Sequence, residues 1–357
     1  MKHSFFNILF ILFISLLSCL SQELKMLKQH ISTKNIFNKF KYSSSMGGIS
    51  FGSENEMISQ IRFHFEISFN LSHCFFTRST LYTGSGGIIF VSGGSYSMNI
   101  SSSMFYNCSC TSEGGSIYFN SFNSNLRMIC ANRCSCGATT SGNFAWIQAS
   151  QVNQAELISV CFCSHAQSGY QPIRLGYGNQ KFDSTNCSMN YATRISGISL
   201  CYSSSFTSSF CTFSNNRVSE YICIVLYSQS GTMSYSNIVH NNSPSSNYGV
   251  IRVYDGSPKM MYCIFDNNQN TLFCVETGSL EVSHSYISYS ALLSTSTPVS
   301  ISNNNSLSKR ETYHLQFFNS LYCNADDPII IYTPAITFHQ SSLKSVLFFN
   351  PLILFFQ

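Results

Sequence analysis

The sequence predicts an all-β protein, a single-stranded parallel β-helix of about ten coils. Three observations predict it. A phenylalanine and asparagine signature returns about every 26 residues between Cys74 and Asn324. Glycine pairs open short Ile-rich strands between the copies, and helical patterning nearly vanishes after residue 60. A fixed period of this length means stacked supersecondary units, each unable to bury its inner face alone.

The signature is clearest at Ser103-Met-Phe-Tyr-Asn107, Cys211-Thr-Phe-Ser-Asn215 and Cys263-Ile-Phe-Asp-Asn267. Anchoring each copy on its first residue gives Cys74, Ser103, Met128, Cys161, Cys187, Cys211, Asn237, Cys263, Ser285 and Ser320. Two residues on, every copy is apolar, in a chain that is only 44% hydrophobic. Four residues on, six copies carry asparagine: Asn107, Asn132, Asn215, Asn241, Asn267 and Asn324. Asparagine tolerates left-handed backbone, so it suits a tight corner. Stacked from coil to coil, such amides form a hydrogen-bonded ladder; the competing reading is that asparagine is simply abundant here.

The glycine element reads Gly86-Gly-Ile-Ile89 and Gly114-Gly-Ser-Ile117, with echoes at Gly142, Gly197 and Gly249. Glycine admits backbone where a side chain would clash, and β-branched residues then fit a pleated surface. Alternation of these pairs with Phe-x-x-Asn, complete at Phe213–Asn216 and Phe265–Asn268, resembles the GG[A/S]I and FxxN repeats of polymorphic outer membrane proteins. Similar repeats occur in surface proteins of trichomonad-type protists. The resemblance covers roughly residues 60–325 and implies a right-handed, pectin lyase-like β-helix. For function it implies cell-surface display.

Four segments follow. Residues 1–21 join a basic start to an apolar stretch and small residues, as in a secretory signal peptide cleaved near Ser21. An uncleaved anchor and a lipoprotein modified at Cys19 are the alternatives. Residues 22–58 hold Lys25, Lys28, Lys34, Lys39 and Lys41, with Leu24, Leu27 and Ile31 at helical spacing. They read as a cap over the first coil. A net charge of +4 in a secreted chain argues against nucleic acid as partner. Residues 59–325 are the repeats. Residues 326–357 end in an apolar run broken by Pro351, too short to span a bilayer as a helix. It is a membrane tether, a lipid-anchor signal or a final coil.

Secretion suggests N-glycosylation at Asn70, Asn99, Asn186 and Asn304, each in an Asn-x-Ser sequon. Asn107 and Asn241 also lie in sequons, but they compete with the amide ladder. Fifteen cysteines remain after the signal leaves. Cys161, Cys187 and Cys211, at successive anchors, would stack about 4.8 Å apart, either as disulfides or as small apolar residues. No cysteine and histidine spacing completes a zinc site, so no metal or other cofactor is expected.

Many β-helices of this kind degrade polysaccharides with paired carboxylates or a calcium-bound acidic cluster. The chain has five aspartates, and only Asp326 and Asp327 are adjacent, beside Pro328. The motifs of galacturonan hydrolases are missing. The expectation is therefore a non-catalytic secreted or cell-surface protein that contacts host-cell or matrix glycans or proteins. A secreted polysaccharide lyase or glycoside hydrolase is the alternative. Only 10% of residues are charged, which leaves Ser, Asn, Thr and the twenty tyrosines as the contact set. Phe162, Tyr170 and Tyr177 mark one candidate loop.

Overall fold

The computed structural model describes residues 46–47, 63–64, 68–301 and 311–318, except 73, 165–168, 204, 221, 229, 244–247, 289–291, 294–298 and 316. The signal segment, nearly all of the cap, Asn304, Asn324, Asp326, Asp327 and the apolar terminus lie outside them. The described chain is all β, and every strand pair is parallel, forming a β-solenoid of about seven turns between residues 89 and 287.

Each turn contributes one strand to each of three sheets. The first sheet pairs Ile89–Ser92 with residues 117–120, then 145–148, Ile173–Gly176, 198–201, 224–227, Ile251–Asp255 and Thr271–Val275. The second runs from Phe69–Ser72 through Asn179–Asp183 and Ser205–Ser209 to Leu280–Ser283. The third runs from Phe75–Thr77 through Asn186–Ser188 and Thr212–Ser214 to Tyr286–Ile287. In two turns a single strand, Ile117–Asn132 or Ala145–Cys161, passes all three faces, bending at left-handed Met128 and Leu157.

Register makes the repeat physical. Along the third sheet one inward column reads Phe76, Phe105, Ala131, Val160, Cys187, Phe213, Ile238, Phe265 and Ile287. Along the first, Ile89, Ile117, Ala145, Ile173, Ile198, Ile224 and Ile251 form another. These residues belong to one continuous core, with the rings of Phe76 and Phe105 stacked 4.9 Å apart. Each fully buried Phe or Ile stabilises by about 1.5–3 kcal/mol, so adding a turn extends the favourable term by several such units.

The phenylalanine of the signature is therefore the inward residue, two past the turn's first position. That first position holds Cys74, Ser103, Ile129, Ile158, Thr185, Cys211, Ser236, Cys263 and Ser285. The sequence-derived anchors at Met128, Cys161, Cys187 and Asn237 are displaced by one to three residues. Turn length varies, and Ala, Val, Cys or Ile can fill the phenylalanine site, so spacing alone drifts off register.

The corners have a fixed backbone. Four past the first position lie Arg78, Asn107, Arg133, Phe162, Met189, Asn215, His240 and Asn267, all left-handed with φ between 51° and 57°. The position before the first is left-handed as well, from Ser102 and Met128 to Tyr262 and His284, with φ between 47° and 57°. A non-glycine residue there costs roughly 1–2 kcal/mol, and asparagine reduces that cost. Turn closure between stacked neighbours imposes the conformation whichever side chain is present. At the entry to the first sheet the cost is avoided: Gly114 has φ +67°, and a Cβ on Gly115 would overlap the carbonyl oxygens of Asn143 and Ser135 in the next turn.

Candidate functional site

The interior carries a polar ladder one residue beyond the left-handed corner. Its column is Ser79, Cys108, Cys134, Cys163, Asn190, Asn216, Asn241 and Asn268, all buried. Asn216 and Asn268 are the asparagines of the complete Phe-x-x-Asn copies. Each asparagine Nδ2 donates to a carbonyl of the preceding turn: Asn190 to Val160 at 3.0 Å, Asn216 to Cys187 at 2.7 Å, Asn241 to Phe213 at 2.8 Å and Asn268 to Ile238 at 2.7 Å. Each Oδ1 accepts the backbone N–H one turn earlier, at 2.9 to 3.1 Å from Cys163, Asn190, Asn216 and Asn241.

Cysteine replaces asparagine in the earlier turns by making the same bond. Cys108 Sγ donates to Phe76 O at 3.6 Å, and Cys134 Sγ donates to Phe105 O at 3.5 Å. Thiol and amide thus reach the equivalent carbonyl, the thiol more weakly. Burial pushes the thiols of Cys108 and Cys163 well up, so they stay neutral donors.

Of the six asparagines expected on one ladder, the five described occupy three positions. Asn107, Asn215 and Asn267 take the left-handed corner, Asn241 the buried ladder, and Asn132 a strand position on the third sheet; Asn324 lies outside the described residues. Cys161, Cys187 and Cys211 do not stack on one another. Cys187 is in the phenylalanine column, Cys211 at a first position and Cys161 on the outer side of the third sheet; all three are buried, and Cys187 and Cys211 are free thiols. The same drift of register separates them. Cys130 is disulfide-bonded.

The outer faces differ sharply. The second sheet presents Asn70 and Asn99, both exposed and joined by a 2.7 Å amide hydrogen bond. Asn186, in contrast, is 2% exposed on the third sheet, which closes that sequon to a glycan in the folded chain. Two aromatic rows run along the corners. Tyr177, Tyr202, Tyr227 and Tyr254 follow one another at 5.5, 4.9 and 5.1 Å between ring centroids. Phe210, Tyr235, Tyr262 and His284 do so at 5.4, 4.9 and 5.0 Å. Tyr177 and Tyr202 are 44% and 49% exposed. Their sequence spacing repeats the turn, a legible signal that attention to Phe162, Tyr170 and Tyr177 as one loop misses. Tyr170 instead packs under Arg194, 4.0 Å from its ring, and Phe162 is a corner residue.

Four of the described carboxylates are engaged in structural pairs or hydrogen bonds. Asp183 meets Lys181 at 3.1 Å and accepts from Ser209 Oγ at 2.7 Å. Glu281 meets Lys259 at 2.9 Å, and Glu276 pairs with Arg252, which lies between Tyr248 and Tyr254. Glu113 accepts from Ser85 and Ser112 at 2.9 Å each. Burial opposes its ionisation, but those hydroxyls prevail and hold its carboxyl below the ordinary value. Among the described residues no group of three or more His, Cys, Asp or Glu could hold a metal ion.

The outer face of the third sheet is covered. Tyr313 and Phe318 lie on it, Tyr313 seated by Asn237. Asn237 Nδ2 donates to Tyr313 O at 2.9 Å, and Tyr313 N donates to Asn237 Oδ1 at 2.9 Å. The Tyr313 ring packs on Val239, Ile264 and Tyr286, and its hydroxyl donates to Tyr262 O at 2.7 Å. Phe318 packs against Met104, Cys130 and Cys161, and its carbonyl accepts from Ser159 Oγ at 2.5 Å.

These features describe a solenoid with a polar-laddered core, aromatic rows partly exposed at the corners and one sheet face contacted by Tyr313 and Phe318, and no family model, curated protein or solved structure matches the chain.

Proposed function

We infer that this chain is a non-catalytic adhesive rod, secreted or held at the cell surface, that contacts host-cell or matrix glycans or proteins. In this reading the solenoid is a right-handed, pectin lyase-like β-helix of about ten coils. The amino-terminal segment directs export, and the apolar terminus is a tether. One observation carries the functional reading: the row Tyr177, Tyr202, Tyr227 and Tyr254 places a phenol every 4.9 to 5.5 Å along the axis. Tyr177 and Tyr202 stack and the later rings tilt against their neighbours, so a partner meets mainly edges and hydroxyls. A comb of donors and acceptors at one-turn spacing suits a linear chain of short repeat, and tyrosine supplies contact area at low entropic cost. The ion-paired carboxylates support the non-catalytic side of the reading.

The test is binding of the purified chain to cells and to immobilised glycans, with Tyr177→Ala and Tyr202→Ala combined. Wild-type retention, reduced at least tenfold in the double variant, supports the row as the contact. Equal retention of both proteins sinks it. Antibody labelling of intact source cells against the culture medium separates a tethered rod from a released one.

A further inference from the structure

We propose that the outer face of the third sheet is a peptide-recognition groove, filled within one chain by its own Tyr313 and Phe318 and exchangeable between copies. The floor is formed by side chains pointing away from the core. They include Asn186, Asn237, Val239 and Ile264, from 1% to 7% exposed, although they lie on the outer side of the sheet. Their counterparts on the second sheet, Lys181 and Lys259, are 46% and 55% exposed.

Recognition is of two kinds. Asn237 reads both the N–H and the C=O of one residue, Tyr313, at 2.9 Å each, a clamp that any extended backbone would satisfy. Ser159 reads a second carbonyl. Two apolar seats five residues apart then select side chains, one for Tyr313 and one for Phe318. The spacing of these contacts matches that of an extended chain along the axis. Asn237 and Ser159 are three turns apart through Thr212 and Asn186. Three turns span about 14 Å, and five extended residues reach about 17 Å.

The occupant of this groove in trans is the same segment of a second copy, because the one sequence seen to fit is carried by every copy. Exchange of an identical element between protomers needs no new contact. Tethering gives the chain's own segment a high effective concentration, and the disulfide at Cys130, beneath Phe318, adds a covalent restraint on this face, so wild-type chains stay monomeric and exchange is rare until that disulfide is reduced. On a crowded surface the exchange would link neighbouring rods side by side. This inference stands apart from the tyrosine row.

Two complementary variants test it by sedimentation in dithiothreitol, which opens the disulfide at Cys130. Tyr313→Ala with Phe318→Ala disables the segment and leaves the groove. Asn237→Arg fills the clamp and leaves the segment. Each alone should sediment as a monomer, and their mixture should form a one-to-one complex of twice the monomer mass. The mixture remaining monomeric, with both proteins folded by circular dichroism, overturns the proposal. So does a complex that persists when the Asn237→Arg chain also carries Tyr313→Ala and Phe318→Ala, since it would then use another surface. If Asn237→Arg does not fold, Asn237→Ala takes its place with the same two outcomes.

Discussion

Replacing Asn216 by alanine should destabilise the rod far more than replacing Asn215, although the two are adjacent. Asn216 is fully buried. Its loss removes the 2.7 Å bond to Cys187 O and the acceptor of the Asn190 backbone N–H, at 3.1 Å. One lost buried hydrogen bond costs about 1 kcal/mol, and one orphaned buried N–H about 1–3 kcal/mol, for a sum of about 2–4 kcal/mol. Asn215 is half-buried at φ 54°, so alanine there loses only the asparagine preference for left-handed backbone, at most about 1–2 kcal/mol. Asn216→Cys should fall between wild type and Asn216→Ala, because cysteine makes the equivalent bond at Cys108 and Cys134. Urea unfolding by circular dichroism gives the ranking, and hydrogen exchange at the Asn190 amide locates it. An Asn216→Ala chain within 1 kcal/mol of wild type, or a larger loss at Asn215, would refute the ladder as a source of stability.

Two further outcomes follow from the interior. Gly115→Ala should cost about 3 kcal/mol or prevent folding, because its methyl overlaps backbone carbonyls of neighbouring turns; a thermal melt unchanged from wild type would contradict the close stacking. Burial pushes the thiols of Cys211, Cys223 and Cys263 up to about 12 from 9.0. They should resist iodoacetamide at pH 8 until the chain is unfolded. Because the folded values are raised, their contribution is complete below pH 9. It is lost as pH climbs from about 9 towards 12, where only the unfolded thiols ionise. Stability flat across that window would show the thiols to be accessible.

The fold class was legible in the sequence because one strong column, with phenylalanine at Phe76, Phe105, Phe213 and Phe265, repeats with the turn. The glycine pairs were legible for a similar reason: Gly87 and Gly115 each face a carbonyl of the next turn, and only glycine fits. Register was less so. Between Phe105 and Phe213 the column passes through Ala131, Val160 and Cys187, which announce nothing, and the anchors slipped there. That slip placed Cys161, Cys187 and Cys211 together and hid the true stack of Cys108, Cys134 and Cys163. The covered groove left no local trace at all. The contact of Asn237 with Tyr313 joins residues 76 apart, and no periodicity links them.

The central claim is that this solenoid binds without transforming what it binds. The most direct measurement incubates the purified chain with a panel of polysaccharides and matrix proteins, recording retention and new reducing or unsaturated ends in the same samples. The account predicts saturable retention of at least one ligand, weakened by Tyr177→Ala with Tyr202→Ala, and no new ends. New ends that rise with time and enzyme concentration would contradict it and make the chain a polysaccharide-degrading enzyme.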